Sequence, residues 1–491
     1  MKSVVIVGGG PAAMMAAIEL ARTPNVEIRV IEEGNFVEKR YCPHQVTGKC
    51  SGCKNCSVVK GIAGGGAGSD GKFHPSKGGA LYEAIGDEKY MQLMNYVQRV
   101  YRNYGKMANV YPNVYGTTLT PYLSAARDRA TNAGLKMELH PIEHYGSDGS
   151  RKLYYTMQSE LLKHENVKII VNTKVTTIDF NKLMVYTNNK KIPYLKADRI
   201  ILAPGRSGSD WLSNLCRENN IPTSYGNLIL GVRAEVPDVI GGNTGPLVQG
   251  NIDAYEPKLR MYFPKGSFVL AAKTFCQCPG GWISYENYGK KLGIAANGYS
   301  LSQAKSRNTN VSLLLDVDVR QVEDPSSFIW KYVQKANKQG GGYPIVQTYR
   351  SLLAGIPTTM DELAKLSFRS TETNLHPGDL TKVFEPSMTA ALIQFIEGIE
   401  QVFPGFTVGG DLLLHGVEVK PVSFTPQMDK LMMIAPGIFV AGDGVNLSHG
   451  LQPASGSGVY TAWCVIKSLT EEDPMIIPYY NFIKKNYSFA A

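Results

Sequence analysis

The chain has 491 residues, 43% of them hydrophobic and 19% charged. That is enough apolar material for more than one core, and it excludes an acidic, aromatic-poor disordered chain. Fifty-one Lys and Arg against 42 Asp and Glu leave a net charge of +9. With no run of five or six like charges, a basic nucleic-acid tail is excluded, whereas a diffuse basic face suited to a phosphate-bearing ligand is not.

Residues 3–7 form a short apolar run suited to a strand buried on both faces. Gly8-Gly9-Gly10-Pro11-Ala12-Ala13 follows, then a helical pattern over 14–22, then a second apolar run over 26–31 ending in Glu32-Glu33. This is G-x-G-x-x-A between strand and helix, with an acid after the second strand. Gly8 permits the tight turn, Gly10 lets a pyrophosphate approach the backbone, and Ala13 allows close helix–strand packing. The helix N-terminus offers unpaired N–H groups to phosphate. Glu32 is expected to accept from both hydroxyls of a ribose, which disfavours a 2′-phosphate. The interrupted apolar run reads as strand–turn–helix, not as a signal peptide, and no stretch reads as a membrane span, so the expected location is cytoplasmic.

Cys42, Cys50, Cys53 and Cys56 follow the second strand. In a reducing compartment a disulfide framework is not expected. The spacing C-x7-C-x2-C-x2-C fits one metal centre, [4Fe–4S] first and Zn²⁺ second, and the alternative is four unligated thiols.

Further along, 88–104 is helical and rich in tyrosine, and 151–163 is an amphipathic helix. A strand at 167–171, short alternating runs to 187 and a turn at 188–191 lead to a strand at 197–202 that ends in Ala203-Pro204-Gly205. Strand-like runs at 228–236, 267–272 and 311–317 enclose Cys276-x-Cys278, whose spacing is wrong for a CxxC redox loop. That pair either contributes to a substrate pocket or packs as small hydrophobes. Arg233 and Arg307 are candidate anchors for an anionic substrate. Helices at 326–336 and 387–402 precede a strand at 437–441, the turn Gly442-Asp443-Gly444 and a helix at 456–468. There is no internal repeat.

VIVGGGPAA with Glu32, the Ala-Pro-Gly turn after the β-excursion and the late VAGDG resemble, in that order, the glutathione-reductase-like FAD superfamily. More narrowly, CSGCKNCSVVKGIAGGGAGSDGKF, TFCQCPGGW, KQGGGYPIVQTYRS, HPGDL and DLLLHGVEVKPVSFT are similar to the predicted FAD-dependent (NAD/FAD-utilising) dehydrogenases. The late motif departs from that family, with GDGVNLSHGLQPAS in place of a glycine-rich run. The resemblance implies an α/β fold: a Rossmann-like FAD-binding domain built from discontinuous segments (1–74, 140–222 and 405–470), with an inserted α+β substrate domain. The remaining parts are a helical insertion at 75–139, the substrate or cap domain at 223–404 and a C-terminal tail at 471–491.

It also implies FAD as cofactor, with the backbone near Val175 at the adenine and Asp443 at the ribityl or pyrophosphate part. The loop 64–73 would lie along the isoalloxazine. There Lys72 would stabilise negative charge or bind an acidic substrate, with Asp70 beside it. The last helix would point its N-terminus at the flavin, and His449 before it is the candidate acid/base. No second strand–GxGxxG–helix unit is expected, so NAD(P)H would dock only transiently as a reductant. Otherwise electrons come from the substrate or a metal centre.

The leading expectation is an FAD-dependent oxidoreductase exchanging hydride at flavin N5 with a small organic substrate. The alternatives are an FAD enzyme acting on a nucleobase, which the charge and tyrosines permit but no recognised module supports, and a non-catalytic flavin or metal electron carrier or sensor. A redox partner protein is a further candidate partner, and a membrane is not.

Overall fold

The structure, a computed structural model, describes residues 1–53, 55–116, 119–238, 256–420 and 424–470. The tail expected at 471–491 and residues 421–423 of the late motif lie outside the described residues. No described helix is long and apolar enough to cross a membrane.

The first apolar run forms β1 (Lys2–Val7), whose Val4, Val5 and Ile6 are fully buried. Helix α1 (Pro11–Ala21) follows, with proline in its first turn where a missing N–H costs nothing. Then comes β2 (Val26–Ile31), parallel to β1. Every residue of α1 beyond Pro11 is buried, because one side lies on the sheet and the other on helix Leu451–Thr470. Gly458 makes that second contact: a Cβ there would sit 2.0 Å from the Ala12 carbonyl oxygen.

Six strands form the first sheet, in the order Met433–Ala435, Ile438–Val440, Arg199–Leu202, β1, β2, Val167–Ile170. All are parallel except the edge strand Met433–Ala435. Strands Val175–Asp179, Met184–Thr187 and Tyr194–Lys196 make the expected antiparallel excursion before the chain re-enters the sheet.

The second sheet has seven antiparallel strands in the order Ile345–Thr348, Leu413–Lys420, Leu228–Pro237, Asn308–Val317, Val269–Cys278, Lys258–Tyr262, Leu135–Glu138. Its central strand Asn308–Val317 is buried at every position. Helices Pro325–Gln339 and Pro386–Val402 share its core through Trp330, Val333, Leu392 and Phe395. Ribbon Trp282–Asn287/Ile294–Tyr299 packs beside it. The fold is therefore the expected α/β assembly: a discontinuous parallel-sheet domain joined to an α+β domain.

Two expected boundaries need correction. Strand Leu413–Lys420, expected within the FAD-binding segment 405–470, sits inside the antiparallel sheet between Ile345–Thr348 and Leu228–Pro237. Seven of its eight residues are buried, so it could not have formed an edge returning to the first sheet. Likewise helix Pro121–Asn132 and strand Leu135–Glu138, expected in a helical insertion, bury Leu123, Ala126 and Leu135 in the second core.

Candidate functional site

One cavity of about 470 Å³ runs from the C-terminal edge of the parallel sheet to the antiparallel sheet. Gly8, Gly9, Gly10, Pro11, Ala12, Glu32, Glu33, Val175, Ala203, Pro204, Gly205, Gly442 and Asp443 all line it. They follow strand ends, as ligand-binding turns do in open α/β sheets. Gly8 has φ +103°, and a Cβ there would lie 2.2 Å from the Ala203 carbonyl oxygen. A Cβ at Gly10 or at Gly65 meets nothing within 4 Å, so the two glycine turns leave open the space that the fingerprint reserves for a cofactor. Ala13 is fully buried behind this turn, and Gly444 packs on Gly205. The residues present thus fit a dinucleotide.

The Glu32 carboxylate accepts N–H groups from Gly9 (2.7 Å), Gly34 (2.7 Å) and Gly61 (2.9 Å). With about four lone-pair positions on a carboxylate, the three loop contacts leave room for one ribose hydroxyl, where the sequence suggested two. Asp443 accepts from Ser448 Oγ (2.6 Å) and Gly450 N (3.2 Å), which fixes the loop before helix Leu451–Thr470. Gly450, Leu451 and Ala454 line the cavity, so that helix does turn its N-terminus toward it.

At the other end Asp70, Lys72 and Cys276 line the cavity with Glu256, Lys258 and Phe275. Lys72 Nζ lies 2.9 Å from Asp70 and 3.2 Å from Glu256, and it donates to the Gln277 carbonyl. Burial opposes its charge, but Asp70 and Glu256 hold its pKa well above the ordinary value. All three ammonium donors are taken, so Lys72 has none left for the acidic substrate expected of it. Glu256 also pairs with Lys258 at 2.5 Å. Burial opposes its charge too, yet Lys258 and Lys72 keep its carboxyl well below the usual range.

Cys276 occupies a bulge in strand Val269–Cys278 and has φ +31°, a conformation rare for a side-chain-bearing residue. Both thiols lie against one carboxylate oxygen. Cys276 Sγ is 3.1 Å and Cys278 Sγ 3.7 Å from Asp70 Oδ2. Contact with Cys278, burial and the Asp70 charge push the Cys276 thiol well above its ordinary pKa, so it rests protonated.

Behind this wall Arg233, fully buried, pairs with Glu418 at 2.7 Å and donates to Asn297, Asn310 and the Cys276 carbonyl. Asn297 in turn donates to Glu286 (2.6 Å), which also accepts from Tyr288 (2.6 Å). Arg233 is thus a scaffold under the cavity wall rather than a free anchor. Arg307 is exposed and does not line the cavity.

His449 is exposed, its carbonyl accepts from Ser76 Oγ, and it is not part of the lining. The histidine of the lining is His74. Its Nδ1 has no partner, and burial with the Lys258 charge lowers its pKa to about 4, so it is neutral near pH 7. Sequence reasoning missed His74, Glu256, Phe275, Arg206 and Lys420, which come together from distant strands and loops. The readable signal was alternation: Glu418 and Lys420, two apart in a strand, share a face with the buried Val419 between them.

Among the described residues no three of Cys42, Cys50, Cys53 and Cys56 have sulfurs within 4.8 Å of one another; the only such group is Asp70, Cys276 and Cys278. A zinc tetrahedron with Zn–S bonds of about 2.3 Å needs sulfurs roughly 3.8 Å apart, closer than any three of these thiols stand to one another. The four remain neighbours. Burial raises the Cys50 thiol, and the charges of Cys56, Cys42 and Cys53 reinforce it.

Residues 2–110 match the family of pyridine nucleotide-disulphide oxidoreductases, and residues 263–421 match the FAD-dependent protein, C-terminal domain-like family. No curated protein matches the chain. Among solved structures, pyridoxine 4-oxidase from Mesorbium loti is similar at 12% identity over 96% of this chain and 100% of that one, with a TM-score of 0.44. NikD, an amino acid oxidase of nikkomycin biosynthesis, is similar at 10% identity over 97% of each chain (TM-score 0.43). Glycine oxidase from Geobacillus kaustophilus is similar at 10% identity over 98% of each chain (TM-score 0.40). With the fingerprint turn open at Gly10 and both family matches on the corresponding halves of the fold, the chain is an FAD-dependent oxidoreductase.

Proposed function

We propose that this oxidoreductase exchanges hydride with a small organic substrate held between the 64–73 loop and the antiparallel sheet. The observation that carries this reading is the continuity of one cavity from Gly10 to Cys276. Gly8, Gly10, Pro11 and Ala12 would hold the pyrophosphate over the buried Ala13, Glu32 a ribose hydroxyl, Glu33 and Val175 the adenosine side. Ala203, Pro204 and Gly205 with Gly442, Asp443 and Gly444 would hold the middle of the cofactor. FAD, when bound, supplies the two-electron acceptor or donor.

The chain's own residues do the rest. Lys72, locked by its three acceptors, is a fixed positive charge beside the substrate. Protonated Cys276 presents an uncharged thiol and hence no competing nucleophile. Neutral His74, with Nδ1 unpartnered, accepts the proton that leaves the substrate. Anaerobic mixing of the holoenzyme with small alcohols, amines and organic acids tests the reading. Bleaching of the flavin band by one of these classes is expected, and a holoenzyme reduced by none of them, though photoreducible, contradicts it.

We also propose [4Fe–4S] as the occupant of Cys42, Cys50, Cys53 and Cys56, because a cubane spreads its thiolates wider than zinc. The Asn287 N–H donates to Cys56 Sγ at 3.5 Å, the kind of contact that favours a thiolate. Iron analysis of anaerobically purified protein decides it.

A further inference from the structure

The substrate end of the cavity holds both ion-paired side chains and cations without an ion-pair partner. Lys258 is paired with Glu256, Lys72 with Asp70 and Glu256, Arg233 with Glu418, and nearby Lys273 with Asp316 at 2.5 Å. Arg206 and Lys420 line the same cavity, and neither has a carboxylate within ion-pair distance among the described residues, Glu286 and Asp443 acting on Arg206 only from further off. Lys420 Nζ instead sits 3.1 Å above the centroid of the Phe275 ring, and Lys258 lies on the same ring at 5.2 Å. Burial and the charges of Lys273, Arg206 and Lys258 push the Lys420 ammonium well below its ordinary pKa, with Asp316 the opposing charge. Of the two lining carboxylates that act on Arg206, Glu286 accepts from Tyr288 and Asn297, and Asp443 from Ser448 and Gly450.

We propose that Lys420, together with Arg206, binds the carboxylate of an organic acid substrate, with Phe275 as the apolar surface for the adjoining carbon chain. The inference rests on the oxidoreductase reading above and adds its substrate class. A planar guanidinium and one ammonium suit a planar carboxylate. The cofactor pyrophosphate has its own site at the Gly8–Gly10 turn and the α1 N-terminus, so it does not account for a cation on the far sheet. The anion that settles there offsets the repulsion among four neighbouring cations, which a neutral ligand of the same shape cannot do.

The test is calorimetric titration of the holoenzyme with benzoate and with benzamide, its neutral isostere, after FAD content has been measured. Benzoate is expected to bind saturably and benzamide not. Lys420→Met should weaken benzoate by about ten- to a hundredfold with FAD content unchanged, and Lys420→Arg should restore much of the loss. Equal binding of the two probes, or none by either, overturns the proposal while the flavin reading stands. Loss of FAD from Lys420→Met with Lys420→Arg retaining it overturns it too, because Lys420 then serves the cofactor. A wild-type chain that holds no FAD breaks the flavin reading instead, and the benzoate-against-benzamide difference still decides whether an anion site exists.

Discussion

Cys276 Sγ lies 3.1 Å from Asp70 Oδ2, a thiol donating to a carboxylate that is itself paired with Lys72 at 2.9 Å. The two residues stand 206 positions apart, and the contact ties the loop after the glycine turn to the antiparallel sheet. Asp70 holds the proton on Cys276, so Asp70→Asn should lower the thiol's pKa and leave Lys72 with one acceptor fewer. Alkylation of Cys276 by iodoacetamide at neutral pH is expected to accelerate about tenfold per unit of lowered pKa. An unchanged rate in the variant means the carboxylate does not control the thiol.

Arg233→Met leaves Glu418 buried without its cation. The expected cost is about 3–5 kcal/mol of unfolding free energy, measured by urea denaturation. Replacing both partners, Arg233→Met with Glu418→Gln, should recover part of it. If the double variant is no more stable than the single, the pair is not the dominant interaction.

Glu235 gives the fold an acid limit. Burial would raise its carboxyl, but hydrogen bonds from His415, Ser370 and Thr371 hold its pKa at about 2, against an ordinary 4.5. A depressed folded-state pKa stabilises fully above the unfolded value, and that stability is lost as pH falls from about 4.5 toward 2. The amount is roughly 3 kcal/mol. Glu235→Gln should be less stable near neutrality and show a flatter decline over that window. A wild-type curve flat between pH 5 and 3 would contradict this.

Much of the parallel-sheet domain was legible because its signals are local. Gly8, Gly10 and Ala13 lie within one turn, and Glu32 follows in the next strand. The antiparallel domain was less so. Strand Leu413–Lys420 sits near a late FAD motif in sequence, but its register places it between strands drawn from 345 and 228. Nothing in the spacing announces that Glu256, from one end of the sheet, meets Lys72 from the other domain. The bulge at Cys276 was equally hidden: C-x-C puts both sulfurs on one face of a regular strand, but nothing local announces the register shift beside it or that this face meets Asp70. His449 was read from its neighbours as a histidine before a helix, and no local signal told that its carbonyl would accept from Ser76 Oγ and that it would lie outside the lining.

Asp443→Asn keeps the shape of the turn but removes its charge. A charge-assisted hydrogen bond to the cofactor is worth about 1.5–3 kcal/mol, so the FAD dissociation constant should rise by about ten- to a hundredfold. Fluorescence titration of apoprotein with FAD measures it, and an unchanged constant removes Asp443 from the cofactor site.

The open turn at Gly10 is the proposed seat of FAD. A Cβ at Gly10 meets no protein atom within 4 Å, and the residue's φ of −69° suits a branched side chain, so Gly10→Val should fold normally and fill only the cofactor's space. Absorption spectra of wild type and variant, with FAD released and quantified per chain and folding checked by circular dichroism, test this directly. About one FAD per wild-type chain and essentially none in folded Gly10→Val are expected; a folded variant that keeps stoichiometric FAD removes the cofactor from this turn.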